Sequence, residues 1–170
     1  LSYWNPTINL ARDPRWGRAE EGYGEDPYLT ATLAENVVNG MQGEDDTYLQ
    51  TIATLKHFVA NNSEYNRHDG SSDMDERDLR EYYSYTFKNV VENTDVASVM
   101  SSYNRINGVP ASANVYLLQT LLRETFGFAG YVTSDCGAIN DVYAQHKWQP
   151  EGWDRPVDEA EATAFCITAG

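Results

Sequence analysis

The sequence predicts an α/β fold with parallel strands, part of a (β/α)₈ TIM barrel with its active site at the strand C-terminal ends. Three observations carry that expectation. Short apolar runs rich in β-formers alternate with stretches of helical periodicity three or four times along the chain, the pattern that parallel β/α units produce. Each run ends in polar residues: Lys56-His57, Tyr103-Asn104 and Asp135. Parallel units bury their strands on both faces and gather the strand C-terminal ends on one side, so these groups should converge. A complete barrel takes about 250 residues, and the 170 present here would supply part of one. A doubly wound open sheet competes, but no Gly-rich phosphate loop follows a strand.

The elements follow in order. Tyr3 to Leu10 alternates partly and contains Pro6, which predicts an irregular or short strand. Arg12-Asp13-Pro14-Arg15-Trp16-Gly17-Arg18, with Glu20, Glu21, Glu25 and Asp26 behind it, is a loop too charged for a linker. Arg12 and Arg15 are expected to pair with those carboxylates. Asp26-Pro27 starts a helix, with Leu29, Leu33, Val37 and Met41 facing inward until Gly43 stops it. Gln50 to Phe58 reads as a strand, and Asp75 to Asn93 as an amphipathic helix with Leu79, Tyr82, Phe87 and Val90 inward. Ala97 to Tyr103 is the next strand, closed by an Asn107-Gly108-Val109-Pro110 turn. Asn114 caps a helix carrying Leu117, Leu118, Leu121, Leu122 and Phe126, which ends at Gly127. Tyr131 to Ser134 is a strand running into Asp135, and Ala160 to Ala169 one more helix.

Composition narrows the function. The 26 acidic residues outnumber 12 basic ones for a net charge of −14, which argues against nucleic acid and anionic membranes as partners and favours a neutral ligand. No apolar run approaches the ~18 residues of a membrane span, and no basic-then-apolar leader is present. A start at Leu1 suggests a piece of a longer chain. Cys136 and Cys166 have no ligand spacing, so no metal, cofactor or disulfide framework is expected, and the compartment stays open. Trp4 and Trp16 read as core.

Asp135 stands out because a strand end is rigid on one side and open on the other, which lets a carboxylate be aimed at a ligand. The plain alternative is a helix cap or turn. With Lys56 and Arg18 beside it, the carboxylate would stay ionised, and an ionised carboxylate facing an anomeric carbon is a nucleophile.

The motifs Arg12 to Arg18, Tyr23-Gly24-Glu25-Asp26-Pro27, Lys56-His57-Phe58, Ser102-Tyr103-Asn104-Arg105-Ile106-Asn107-Gly108 and Ser134-Asp135, in this order and spacing, resemble the N-terminal barrel domain of glycoside hydrolase family 3. The resemblance spans nearly the whole chain. It implies that Asp135 is the catalytic nucleophile of a retaining, exo-acting β-glycosidase, that Arg18, Lys56 and His57 bind the glycone, and that Met100 and Tyr103 line the same pocket. Cys136 and the Gly-Ala-Ile after it are similar to the β-xylosidase branch, whereas Asn61-Asn62 to Arg67 is closer to bacterial β-glucosidases, so β-D-xylose and β-D-glucose both stand as glycones. The family's glycone-binding aspartate would precede Leu1. Its acid/base glutamate would belong to a second α/β sandwich domain after Gly170, and the piece alone is expected to be inactive. A secreted or periplasmic location is what the resemblance implies for a full-length bacterial enzyme. Arg67-His68-Asp69 does not reproduce the Asp-Ser-His of the β-N-acetylglucosaminidase branch. That branch and a non-catalytic carbohydrate-binding piece remain the alternatives.

Overall fold

The computed structural model describes residues 1–170. Its frame is a four-stranded, wholly parallel sheet in the order β1 (Ser2–Tyr3), β2 (Ile52–Phe58), β4 (Ser98–Ser101), β7 (Tyr131–Ser134). This is the expected α/β architecture, with the strands in chain order as in a barrel wall. Leu55 pairs with Val99 and Val99 with Val132, so one row of apolar side chains runs across the sheet on a single face. Leu55 and Val99 belong to the main core, and Val132 packs against it. Thr54, Ser98, Met100 and Thr133 alternate to the opposite face.

The first segment is only partly a strand. β1 covers two residues, and the chain then follows β2 loosely through the bond from Ile8 N–H to the Lys56 carbonyl (2.8 Å) and a lone Thr7–Lys56 bridge. β5 (Arg105–Ile106) and β6 (Val109–Pro110) form a small hairpin on which β3 (Ser71–Ser72) adds a parallel strand. Its two-residue turn is Asn107-Gly108, with φ of 49° and 85°, the left-handed pair that this tight turn demands.

Helices cover the apolar face. α1 (Pro27–Gln42) is capped by the Asp26 carboxylate, which accepts the Leu29 N–H at 2.7 Å. Its inward stripe differs from the expected one: Thr30, Ala31, Ala34, Val38 and Gln42 are buried, while Leu29 and Leu33 are 49% and 41% exposed. Both stripes satisfy the 3.6-residue period, and the small residues face inward, where α1 lies against α3 (Tyr85–Asn93). Buried Gln42 accepts the Ala97 N–H (3.0 Å) and donates to the Asp95 carbonyl (2.8 Å), tying α1 to the approach of β4.

The expected helix from Asp75 to Asn93 is present in three pieces: α2 (Glu76–Asp78), a wide turn over Leu79–Tyr83, and α3. Ser84 marks the break, its hydroxyl donating to the Leu79 carbonyl at 2.7 Å. The segment Tyr116–Thr125 is also a wide helix, with Leu117, Leu118, Leu121 and Leu122 buried as the spacing predicts. Phe58 and Phe87 meet edge to face at 4.9 Å in the centre of the core. α4 (Ala138–Ala144) was not expected from the sequence, and α5 (Glu159–Ala169) was. Trp16 is buried as expected, whereas Trp4 is nearly half exposed.

Candidate active site

Asp135 follows β7 directly. Its backbone N–H donates to the Ser101 carbonyl (3.0 Å), so the β4–β7 ladder extends by one bond and fixes the residue to the sheet. It is not a helix cap: Gly137, at φ 75°, leads into α4, and the carboxylate Oδ1 accepts the N–H of Cys136 at 2.7 Å. The residue is 7% exposed, and Oδ2 is buried with no hydrogen-bond partner. An unpaired buried carboxylate oxygen costs stability unless something else meets it.

His57 faces that oxygen, its Nε2 3.4 Å from Asp135 Oδ2. At 1% exposure the imidazole is held by Asn9, whose Oδ1 accepts both the His57 backbone N–H (2.8 Å) and Nδ1–H (3.0 Å). Asn9 is fixed in turn by donating Nδ2–H to the Asn61 carbonyl at 2.9 Å. Since Oδ1 only accepts, the proton sits on Nδ1, leaving Nε2 to accept from the Arg18 guanidinium (3.1 Å). Burial above all, then the positive charges of Arg18 and Lys56, push the imidazole down to about 3. The ring is therefore neutral at ordinary pH, and His57 Nε2, already taking the Arg18 N–H, meets Asp135 Oδ2 as one acceptor beside another rather than as an ion pair. A ligand hydroxyl reaching this point would find its open acceptor in Oδ2.

Arg18 and Lys56 share one counter-ion. Arg18 donates Nε–H and Nη2–H to Glu21 at 2.6 and 2.9 Å, and Lys56 Nζ lies 3.5 Å from the same carboxylate. The hydrogen bonds from Arg18 chiefly, then the Lys56 charge, hold Glu21 down to about 2. The fork bond to Glu21, and more weakly the Asp135 charge, raises Arg18. Arg18 and Lys56 against Glu21 and Asp135 sum to zero with His57 neutral, inside a chain of −14. A site balanced this way suits an uncharged polyol.

The opposite flank is aromatic. Tyr103 is buried, with the Arg67 guanidinium over its ring at 4.8 Å and the His68 ring edge to face with it, centroids 4.7 Å apart. Burial first, then the Asp135 carboxylate facing it, push the Tyr103 phenol up to about 12. Arg67 is paired to Glu64 (3.1 Å), which also accepts from the Trp16 indole N–H at 2.9 Å, so the Arg12–Arg18 loop is fastened to the loop after β2. Met100 is fully buried in β4 opposite Thr133, two positions ahead of Asp135.

Arg18, Lys56, His57, Tyr103 and Asp135 are thus brought together, and Met100 lies in the layer beneath. Asn9, Glu21 and Arg67 were missed. Arg18–Glu21 is an (i, i+3) pair that the sequence could have yielded, but Glu21 had been assigned with its acidic neighbours to Arg12 and Arg15. Arg15 instead pairs with Asp13 (2.5 Å), and Arg12 stacks over Tyr83 at 5.1 Å.

Parallel strands in chain order, with a buried, charge-balanced carboxylate at one end, define an α/β domain of the barrel kind. Comparison with known proteins narrows this further. The model of the glycosyl hydrolase family 3 N-terminal domain matches residues 2–170. A xylan 1,4-β-xylosidase of Xylanibacter ruminicola is 45% identical over 173 residues, covering 100% of this chain and 19% of the relative. A probable exo-1,4-β-xylosidase of Aspergillus clavatus is 43% identical over 178 residues, 100% of this chain and 22% of its own. Among solved structures, a family 3 exo-β-xylosidase in complex with a xylobiose aziridine activity-based probe superposes with a TM-score of 0.92 at 39% identity, over 99% of this chain and 22% of that one. β-Glucosidase 3B from Thermotoga neapolitana in complex with glucose gives 0.77 at 36%, over 98% and 24%. The chain belongs to glycosyl hydrolase family 3, and it spans about a fifth of the length of these relatives.

Proposed function

We propose that this chain carries the nucleophile and much of the glycone site of a retaining, exo-acting β-glycosidase. In this reading Asp135 Oδ2 attacks the anomeric carbon of a terminal sugar while the bond to the leaving oxygen breaks, giving a glycosyl ester that water then hydrolyses. Arg18 and Lys56 donate to sugar hydroxyls, His57 steadies the Arg18 guanidinium through Nε2 at the same place, and Tyr103 and Met100 close the pocket around the ring. The carboxylic acid that protonates the leaving oxygen, and later activates water, comes from a second α/β sandwich domain of the same protein. That is in keeping with relatives about five times this chain's length.

The single observation that carries the reading is the buried, unpartnered Oδ2 of Asp135 beside a neutral histidine and two cations sharing one carboxylate. β-D-Xylose is the glycone supported best, because the relatives at 45% and 43% identity are named as xylosidases. β-D-Glucose is the second, supported by the likeness to the Thermotoga enzyme. The test is to treat the full-length enzyme with 2-deoxy-2-fluoro-β-xyloside and the matching glucoside and to map the adduct by peptide mass. Label on Asp135, faster with the xyloside, is the expected result. Label on another residue removes the nucleophile assignment, and sugar binding without any adduct would favour a non-catalytic carbohydrate-binding role.

A further inference from the structure

His68 was left without a role by the sequence, yet three contacts converge on it. Its Nδ1 lies 2.7 Å from Oδ2 of Asp141, a residue of α4 that is itself buried. A carboxylate accepts, so the proton belongs to Nδ1 and Nε2 carries a lone pair. Arg67 Nε–H points at that lone pair from 3.2 Å. The ring also meets that of Tyr103 in an edge-to-face contact. Arg67 is therefore held by two acceptors, Glu64 and His68, in the orientation that lays its guanidinium over Tyr103. Its stacking on Tyr103 at 4.8 Å places Arg67 at the same pocket.

α4 supplies a second anchor to the same place. His146, just past its end, donates Nε2–H to the Tyr103 carbonyl at 2.8 Å. The short helix that follows Asp135 thus grips the ring wall twice, at the Tyr103 backbone through His146 and at the Arg67–His68 pair through Asp141.

We propose that His68, oriented by Asp141, is a positioning residue that fixes Arg67 and Tyr103 against the glycosyl group held over Asp135. The proposal rests on the function proposed above. His68 is 45% exposed on its side chain, so it can be changed without opening the core, although buried Asp141 loses its partner with it. What is lost is the aim of a guanidinium that stacks on the pocket wall rather than on the reacting atoms, so the loss falls on binding shared by ground and transition states and shows in KM.

The experiment uses the full-length enzyme with p-nitrophenyl β-xyloside. His68→Phe keeps the ring against Tyr103 and deletes both hydrogen bonds. It should raise KM about tenfold, the usual worth of a hydrogen bond to a charged group, with kcat nearly unchanged and the melting temperature lowered, because the buried Asp141 carboxylate loses its partner. His68→Gln, which can still accept from Arg67, should recover most of the loss. Asp141→Asn should move KM in the same direction by a smaller factor. Unchanged KM in His68→Phe overturns the proposal, as does a fall in kcat alone or a Gln variant no better than Phe. Labelling by the 2-fluoro xyloside separates the two readings. Adduct on Asp135 with KM indifferent to His68 defeats the positioning role alone, whereas adduct elsewhere in the wild type defeats both.

Discussion

The two flanks of Asp135 are built from different materials. On one side Asn9, Arg18, Glu21, Lys56 and His57 form a continuous chain of hydrogen bonds and ion pairs. On the other, Tyr103, Arg67 and His68 meet through ring faces and edges, with α4 fastening them from behind. The first flank sets charge and protonation, and the second sets shape. That division teaches which kind of substitution each side should resent. The polar side tolerates little change in proton count, and the ring side little change in volume.

The largest effect belongs to the group both flanks surround. Asp135→Ala in the full-length enzyme should lower kcat by several orders of magnitude, with the fold unchanged by circular dichroism. Near-normal turnover would mean the flanks enclose something other than a nucleophile. Glu21→Gln comes next, because it leaves Arg18 and Lys56 facing each other without their shared counter-ion, and kcat/KM should fall about a hundredfold. An unaffected enzyme would show that the polar flank is scaffold. Tyr103→Phe keeps the ring and deletes the hydroxyl facing Asp135, so kcat/KM should fall only about tenfold. Tyr103→Ala, by removing the surface on which Arg67 and His68 rest, should be worse than Phe. Equal losses in the two variants would contradict a flank defined by shape.

Much of this was legible before the structure. Strands that end in Lys56-His57, Tyr103 and Asp135 announce themselves because buried parallel strands are apolar until they reach the loop end, and the register of the parallel sheet then brings those ends together. The leucines from 117 to 122 were readable because one face alone is apolar there. α1 was misread because two stripes fit its period, and only its packing against α3 selects the small one. α4 went unseen because Ala138 to Ala144 offers a single turn of apolar residues and follows a glycine that the strand end already explained. Pairings suffered most. Nothing local tells Glu21 from Glu20, or that Asp141 lies against His68 across 73 positions of chain.

The smallest expected effect touches stability rather than turnover, and it isolates the polar flank. His57 sits near 3 in the folded protein against an ordinary value of 6.5, through burial first and the neighbouring cations second. Between those two values the unfolded chain binds a proton that the folded chain refuses, so stability rises with pH across this window and is lost as pH falls below 6.5. Glu21, held near 2 against 4.5, adds a second loss that begins lower and runs in the same direction. The melting temperature of the full-length enzyme should therefore decline on acidification in two overlapping stages, the first from His57. In His57→Gln, whose amide can still donate to Asn9, the stage between pH 6.5 and 4.5 should flatten while the lower one persists. A wild-type profile flat down to pH 4.5 would mean that the imidazole is charged in the fold. The contact with Asp135 would then be an ion pair after all, and the polar flank would no longer hold the neutral imidazole on which its division of labour with the ring flank depends.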